Sequence, residues 1–349
     1  MSRTQATDAG SGGDCAREPD SVPRVVAMRQ SFTDADEQAA WIADVYPQRY
    51  EQLGAGSFSG EMTKVDLDGV LVVRERVNRR LFQAGASRDF TLAWALNPAM
   101  QYRCNGHDLG PQHVMVWEGG SEFEIVCDPS DMCTVTIANS ALAAWHGRPS
   151  DASPIQRLHG VRVVPAELAD SLQTVVFRAL DLAAADAVRP GPMSWHESLR
   201  DQLLQVVTTV AGMSLGDARR PRRSERTFER VVRRAREHIA RDPDGTLSIA
   251  DLCHRVGVSR RNLHYSFEAV LRTSPGQYLR CMRLNAARRA LKCRDASEST
   301  IADIAARVGF GHLSHFSADY KRWFGELPSR TAARAATDGR LPVGTLVGA

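Results

Sequence analysis

The hydrophobic pattern along the chain changes its period near residue 138. Before that point, apolar positions alternate with polar ones, or run together, in six short stretches: GEMTKVDL, GVLVVRERV, DFTLAWAL, HVMVWE, EFEIV and CTVTIA. A period of two places successive side chains on opposite faces of a strand, and Gly, Asp, Asn or Pro between most stretches supplies turns. Regularly spaced short strands predict a sandwich or small barrel. Ahead of them, DADEQAAWIADVY (34–46) predicts a helix with an acidic first turn.

Beyond residue 138 the spacing is helical. PAELADSLQTVVFRALDLAAADAV (165–188) and SWHESLRDQLLQVVTTVAGM (194–213) each carry an apolar stripe. Leu199, Leu203, Val206, Val207 and Val210 form the second stripe, which suits packing on the strands or pairing of two copies. DARRPRRSER (217–226), Pro-broken and Arg-rich, predicts a linker. Everything from 224 to about 334 reads as helix.

Within that last region one phrase occurs twice, as LSIADLCHRVGVSRRNLHYSF (247–267) and TIADIAARVGFGHLSHFSADY (300–320). Ile249, Leu252, Cys253 and Val256 match Ile301, Ile304, Ala305 and Val308 at an offset of 52. Leu263, Phe267, Val270, Leu271 and Pro275 match Phe316, Tyr320, Trp323, Phe324 and Pro328 at an offset of 53, so the extra residue falls in the turn. Ser248–Asp251 and Thr300–Asp303 have capping-box spacing, and Gly257 and Gly309 suit the left-handed turn that stops a helix. Each unit therefore predicts a helix, a short Gly-containing turn and a second helix, the helix-turn-helix outline. With Leu263 and Phe267 turned inward, Arg260, Arg261, Asn262, His264 and Tyr265 face outward near the start of the second helix. The corresponding set in the second unit is His312, Ser314, His315, Ser317 and Ala318. Arg, Asn and His at the N-terminal end of such a helix can hydrogen-bond base edges in a major groove. Between the units, PGQYLRCMRLNAARRALKC (275–293) predicts a single helix with Pro275 in its first turn and Tyr278, Met282, Leu284, Ala287 and Leu291 on its apolar face.

Charge sharpens this picture. The net charge of the 349 residues is only +3, yet residues 222–334 hold 23 Lys+Arg against 12 Asp+Glu (+11), while residues 24–221 hold 18 against 24 (−6). A basic domain beside an acidic one points to a polyanion partner for the C-terminal part, double-stranded DNA given the helix outline. Arg222, Arg223, Arg260 and Lys321 are candidates to neutralise phosphates. The length suggests two domains, and no run of about 18 apolar residues predicts a membrane span. Residues 1–23 read as a disordered leader without an apolar signal core, residues 335–349 as a disordered tail, and the protein is expected in the cytoplasm.

The double phrase, with SPGQYLRCMRLNAARRAL between its halves and GFGHLSHFSADYKRWFGELPS at its end, resembles the AraC/XylS transcription regulators over about 226–334. The resemblance implies an α+β chain. A cupin-like β-barrel or sandwich with flanking helices, for sensing and dimerisation, would occupy 24–216, followed by a linker at 217–226. An all-α DNA-binding domain of two helix-turn-helix units joined by a central helix would occupy 227–334. It further implies a transcription activator that works with RNA polymerase, forms a homodimer and answers to a small-molecule effector. Its base-contacting positions fall here on Arg261, His264 and Tyr265, and on Ser314, Ser317 and Ala318, with His315 beside them; Tyr265 and Ala318 stand where the family carries other side chains. GSFSGEMTKVDLDGVLVVRE, GGSEFEIV and VSRRNL resemble the ethanolamine-utilisation branch, which implies an ethanolamine-like amine as effector. Trp94 and Trp117 are candidates to line an effector pocket, with plain core as the alternative.

An enzyme is not expected. The competing reading is a metal-dependent cupin enzyme or sensor fused to the DNA-binding module. Its ligands would have to converge, yet His107, His113, His146 and His159 are scattered, with no HxH or HExxH phrase. No metal or cofactor is therefore expected, and no P-loop, GxGxxG or GxSxG phrase stands in a suitable context. The seven cysteines contain no CxxC pair and read as reduced thiols; Cys127 and Cys133, near each other in sequence, would be the redox pair if one existed.

Overall fold

The computed structural model describes residues 25–97, 99–100, 102–146, 160–184, 193–213, 223–242, 245–293 and 299–337. The chain opens with β1 (Val25–Phe32), α1 (Ala35–Trp41), β2 (Gln48–Gln52), β3 (Gly60–Leu67) and β4 (Val70–Val77). It continues through β5 (Leu81–Ala86), β6 (Phe90–Ala95), β7 (Tyr102–Cys104), β8 (His107–Leu109), β9 (His113–Trp117), β10 (Glu122–Cys127) and β11 (Ser130–Ile137). After α2 (Asn139–His146) and β12 (Gly160–Val163) come two long helices, α3 (Ala166–Ala184) and α4 (Met193–Gly212). The helical part consists of α5 (Arg223–Ala240), α6 (Ile249–Val256), α7 (Arg260–Leu271), α8 (Pro275–Lys292), α9 (Ile301–Arg307), α10 (Leu313–Phe324) and α11 (Pro328–Thr337).

The strands form two antiparallel sheets. One has seven strands in the order β1-β3-β4-β11-β6-β9-β12, and the other has five in the order β2-β5-β10-β7-β8. Between them lies a core that includes Tyr50, Met62, Val73, Ala93, Trp117, Phe123 and Ile125. A second core fills the outer face of the larger sheet, where Val72, Leu92, Trp94 and Val135 meet α3 and α4. Leu199, Leu203, Val207 and Val210 are buried there and Val206 partly so, so the stripe of α4 packs on the sheet. The period of two along β6 decides the fate of Trp94: Ala93 and Ala95 face the inter-sheet core, and Trp94 faces the helices.

Several expectations need correction. α5 begins at Arg223, so residues 223–226 are helix rather than linker, and α11 continues to Thr337, three residues into the expected tail. Residues 1–23 and 338–349 lie outside the described residues. Cys127 sits in the inter-sheet core and Cys133 in the outer core, so they share no redox site. Burial pushes the Cys127 thiol up to about 12 and raises that of Cys133 as well, which leaves both poor nucleophiles. Among the described residues, no helix is long and apolar enough to cross a membrane.

The helical domain has its own core, in which Leu263, Phe267, Tyr278, Leu284, Phe316 and Tyr320 are fully or almost fully buried. Leu53 and Phe82, from the smaller sheet, belong to that same core. Polar contacts tie the two parts together along α8. The buried carboxylate of Asp34 accepts from Arg288 Nε at 2.7 Å and also pairs with Lys292. Lys292 reaches Asp36 at 3.0 Å, Arg288 Nη1 lies 3.1 Å from Glu326, and Arg289 pairs with Glu51 at 3.2 Å. One turn earlier, Asn285 donates to the carbonyl of Gln52 at 3.1 Å and accepts from its amide at 3.2 Å. Asp34, Glu51 and Arg288 are removed from water, where an ion pair survives only with its partners in place. Burial disfavours ionised Asp34, but Lys292 and Arg288 outweigh it and hold the carboxyl well below the usual range.

Asp34 also caps α1, accepting from the amides of Asp36 at 2.9 Å and Glu37 at 3.3 Å. Asp34→Asn keeps a capping oxygen and removes only the charge. We expect it to lower the stability of the full chain by about 3–5 kcal/mol in urea unfolding. A depressed folded-state carboxyl stabilises above the unfolded pKa of about 4 and loses that contribution as the pH falls through and below it. The wild-type advantage over Asp34→Asn should therefore shrink in acid; an advantage that is constant with pH, or under about 1 kcal/mol as for exposed pairs, would contradict the pairing.

Candidate nucleic-acid interface

The repeated phrase folds into two similar helix pairs. In the first, Ser248 and Asp251 complete a reciprocal capping box, and Gly257 closes α6 at φ 75°. A left-handed residue there ends the helix and turns the chain, and glycine adopts it without penalty. Ser259 then caps α7 by accepting from the amide of Asn262 at 3.2 Å. In the second pair, Thr300 and Asp303 form the same box, α9 ends at Val308, and Gly309 follows at φ 84°. α10 starts after His312, which makes no side-chain cap.

Leu263 and Phe267 of α7, and Phe316 and Tyr320 of α10, are buried to 0% exposure, which turns the opposite faces of both helices outward. On α7, Arg261, His264 and Tyr265 are exposed, together with Arg260. Arg261 leans along the helix onto Tyr265, with its guanidinium 5.4 Å from the ring centre and Nη2 donating to the phenol oxygen at 3.1 Å. An arginine held by a neighbour one turn away loses less rotamer freedom on binding than a free one. On α10, Ser314 and His315 are exposed, Ser317 is half-buried and Ala318 is exposed. His312 and His315 lie edge to face, 5.5 Å apart. Leu313, in the first turn of α10, is 47% exposed and escaped sequence reasoning. An exposed apolar group at that end of the helix can meet a thymine methyl.

Among the phosphate candidates, Arg260 and Lys321 are exposed on α7 and α10, and Arg223 is exposed at the start of α5. Arg222 lies outside the described residues. α8, the predicted single helix, joins the two pairs; its 18 residues make a rod of about 27 Å.

The inter-sheet core contains a hollow of about 40 Å³, lined by Tyr46, Glu75, Gln83, Trp117, Phe123 and Met132 among others. Trp117 thus lies on it, and Trp94 does not, for the alternation given above. Sequence reasoning missed Glu75. Its carboxyl accepts from Tyr50 Oη at 2.5 Å, Gln38 Nε2 at 2.7 Å and Gln83 Nε2 at 3.0 Å. Burial pushes that carboxyl up, against three donors that favour its charged form. Among the described residues, no group of three or more His, Cys, Asp or Glu could hold a metal ion.

Two exposed second helices on a common rod, each preceded by a capped first helix, define a helix-turn-helix DNA-binding domain. Residues 252–334 match the helix-turn-helix domain family. A probable thc operon regulatory protein of Rhodococcus erythropolis is 34% identical over 99 residues, covering 28% of this chain and 30% of that protein. A XylDLEGF operon transcriptional activator of Pseudomonas putida is 36% identical over 105 residues, covering 30% and 32% respectively. A crystal structure of a transcriptional regulator with an AraC-type DNA-binding domain, from Chromobacterium violaceum, is 31% identical over 33% of this chain and 99% of that one, with a TM-score of 0.30. The chain spans about a third of the length of the curated relatives it matches. It carries a helix-turn-helix DNA-binding domain that is similar to those of transcription regulators.

If α7 reads bases, Arg261→Ala should weaken binding to a site selected from random DNA by about 1–3 kcal/mol and relax preference at one base pair. Tyr265→Phe, which removes only the hydroxyl holding Arg261, should give a smaller loss in the same direction. Fluorescence anisotropy on selected and scrambled duplexes checks both. An equal loss on the two DNAs would make Arg261 a phosphate contact.

Proposed function

We propose that the whole chain is a cytoplasmic, ligand-responsive, sequence-specific transcription activator that places α7 and α10 in adjacent major grooves. One observation carries the reading: both helices expose their N-terminal faces, and the strand domain, although packed against the same helical core, leaves those faces uncovered. In this reading Arg261, His264 and Tyr265 contact bases in the first groove, and Ser314, His315 and Ser317 in the second. Arg222, Arg223, Arg260 and Lys321 neutralise phosphates. The α8 rod of about 27 Å compares with the roughly 34 Å between successive major grooves on one face of DNA. The resemblance to AraC/XylS regulators supports a homodimer and contact with RNA polymerase.

The effector reading places a small molecule in the inter-sheet hollow, against Trp117. The resemblance to the ethanolamine-utilisation branch suggests an amine, and the half-buried carboxyl of Glu75 gives a protonated nitrogen a partner. Binding of a cation there would favour ionised Glu75 and offset its desolvation. Ethanolamine should therefore raise the melting temperature of the wild-type chain and leave Glu75→Gln unmoved. An equal response of the two proteins would remove Glu75 from the site.

The central test is a footprint. Bound to DNA selected from a random pool, the full chain should protect two boxes about one helical turn, roughly 10 base pairs, apart. Binding should weaken with salt at a log–log slope near −0.9 per phosphate neutralised. Protection of a single box, or a footprint without sequence preference, would overturn the two-groove reading.

A further inference from the structure

The sandwich grips both second helices at the ends that point away from their exposed, N-terminal faces. The last carbonyls of a helix have no partner within it. On α7, Arg103 Nη1 donates to the carbonyl of Ala269 at 2.8 Å, and Arg80 donates to those of Leu271 at 2.6 Å and Arg272 at 3.1 Å. Two guanidinium groups also suit the negative end of the helix dipole. Asp128 braces this corner, 3.4 Å from Arg80 and 3.7 Å from Arg272. Arg272 itself sits at φ 48°, a left-handed conformation that a non-glycine residue holds at some expense in energy.

On α10 the carbonyl of Trp323 accepts from the amide of Gly56 at 2.8 Å and from Gln52 Nε2 at 2.9 Å. Trp323 Nε1 donates in return to the carbonyl of Gln52 at 3.2 Å. Two residues on, Gly325 closes α10 at φ 75°, and a Cβ there would come within 1.9 Å of Ser57 Oγ. The loop after β2 is therefore pressed directly on the end of the helix. Arg80 and Gln52 flank one short stretch of the same sheet, since the amide of Leu53 bonds to the carbonyl of Arg80 at 2.8 Å. The smaller sheet thus holds the C-terminal ends of both α7 and α10, while α8 is tied to the sandwich between them through Asn285, Arg288 and Arg289.

We propose that Arg80, Arg103 and Gln52 are positioning residues for DNA recognition: they make the sandwich a splint that fixes the angle and spacing between the two recognition helices. Selectivity for the spacing of the two DNA boxes is then a property of the full chain and not of the helical domain alone. This rests on the reading that α7 and α10 both enter DNA. Each helix of 12 residues is about 18 Å long, so a small rotation at its fixed end displaces the base-facing end across a base pair.

The test compares the full-length wild type with the Arg80→Ala/Arg103→Ala double variant on duplexes carrying both boxes at their selected spacing or with two base pairs inserted between them. The insertion rotates one box by about 70° relative to the other. Wild type should lose at least about tenfold in affinity on the shifted duplex, and the variant should differ by no more than about threefold between the two duplexes. Should the double variant fail to fold by circular dichroism, Arg80→Lys serves in its place. It keeps a charge beside Asp128 but cannot span two carbonyls, so it should narrow the same ratio. A folded variant that keeps the wild-type ratio, or loses affinity equally on both duplexes, overturns the splint. A wild-type chain indifferent to the insertion overturns the two-groove reading as well.

Discussion

The structure depends on a shared wall. The outer face of β2 and β5 is not a solvent face: Leu53 and Phe82, at and next to those strands, are part of the helical domain's core, and Arg236 of α5 lies 3.6 Å above the Phe82 ring. Around this apolar contact runs a ring of buried and half-buried charge in which Asp34, Asp36 and Glu51 face Arg288, Arg289 and Lys292. Apolar burial supplies attraction without direction, whereas buried ion pairs demand one register, because a slipped partner leaves a charge without compensation. The combination fixes α8 on the sandwich, which also bonds to the C-terminal ends of α7 and α10.

The same residues connect the hollow to this wall. Side chains along β2 alternate, so Tyr50 points inward to Glu75 while Glu51 points outward to Arg289. α1 repeats the arrangement, with Gln38 on Glu75 and Asp34 on Arg288. Whatever changes the charge or contacts of Glu75 therefore acts on the inner ends of the two elements whose outer ends hold α8. A chain of direct contacts therefore runs from the hollow to the wall that holds the helical domain.

How far the sequence foretold this divides along the same line. The helical domain was legible because its signals are local: capping boxes, Gly257, Pro275 and an apolar period repeated at an offset of 52 or 53 residues. The six strands with alternating or apolar runs were legible too. β2 (QRYEQ) and β5 (LFQAGA) were not, since one face meets the hollow and the other meets helices, so neither alternates apolar with polar. On α8 Tyr278, Leu284, Ala287 and Leu291 of the expected apolar face are buried and Met282 partly so, but Asn285, Arg288, Arg289 and Lys292, spaced to share another face, look like solvated surface in sequence. Their partners in the sandwich lie more than 230 residues away, as with the pair Asn285–Gln52, and no local pattern announces them. Trp94 and Trp117 were separable only once the register of β6 and β9 placed them on different sides of one sheet.

The central claim is that the two recognition helices form a rigid pair before DNA arrives. Spin labels on exposed positions of α7 and α10, introduced as Glu268→Cys and Arg322→Cys with Cys15, Cys253 and Cys293 changed to Ser, measure the distance between them directly in the full chain. The account predicts one narrow distance distribution that is unchanged when the selected DNA is added. A broad distribution in the free protein that narrows or shifts on DNA would show that DNA, and not the sandwich, sets the geometry.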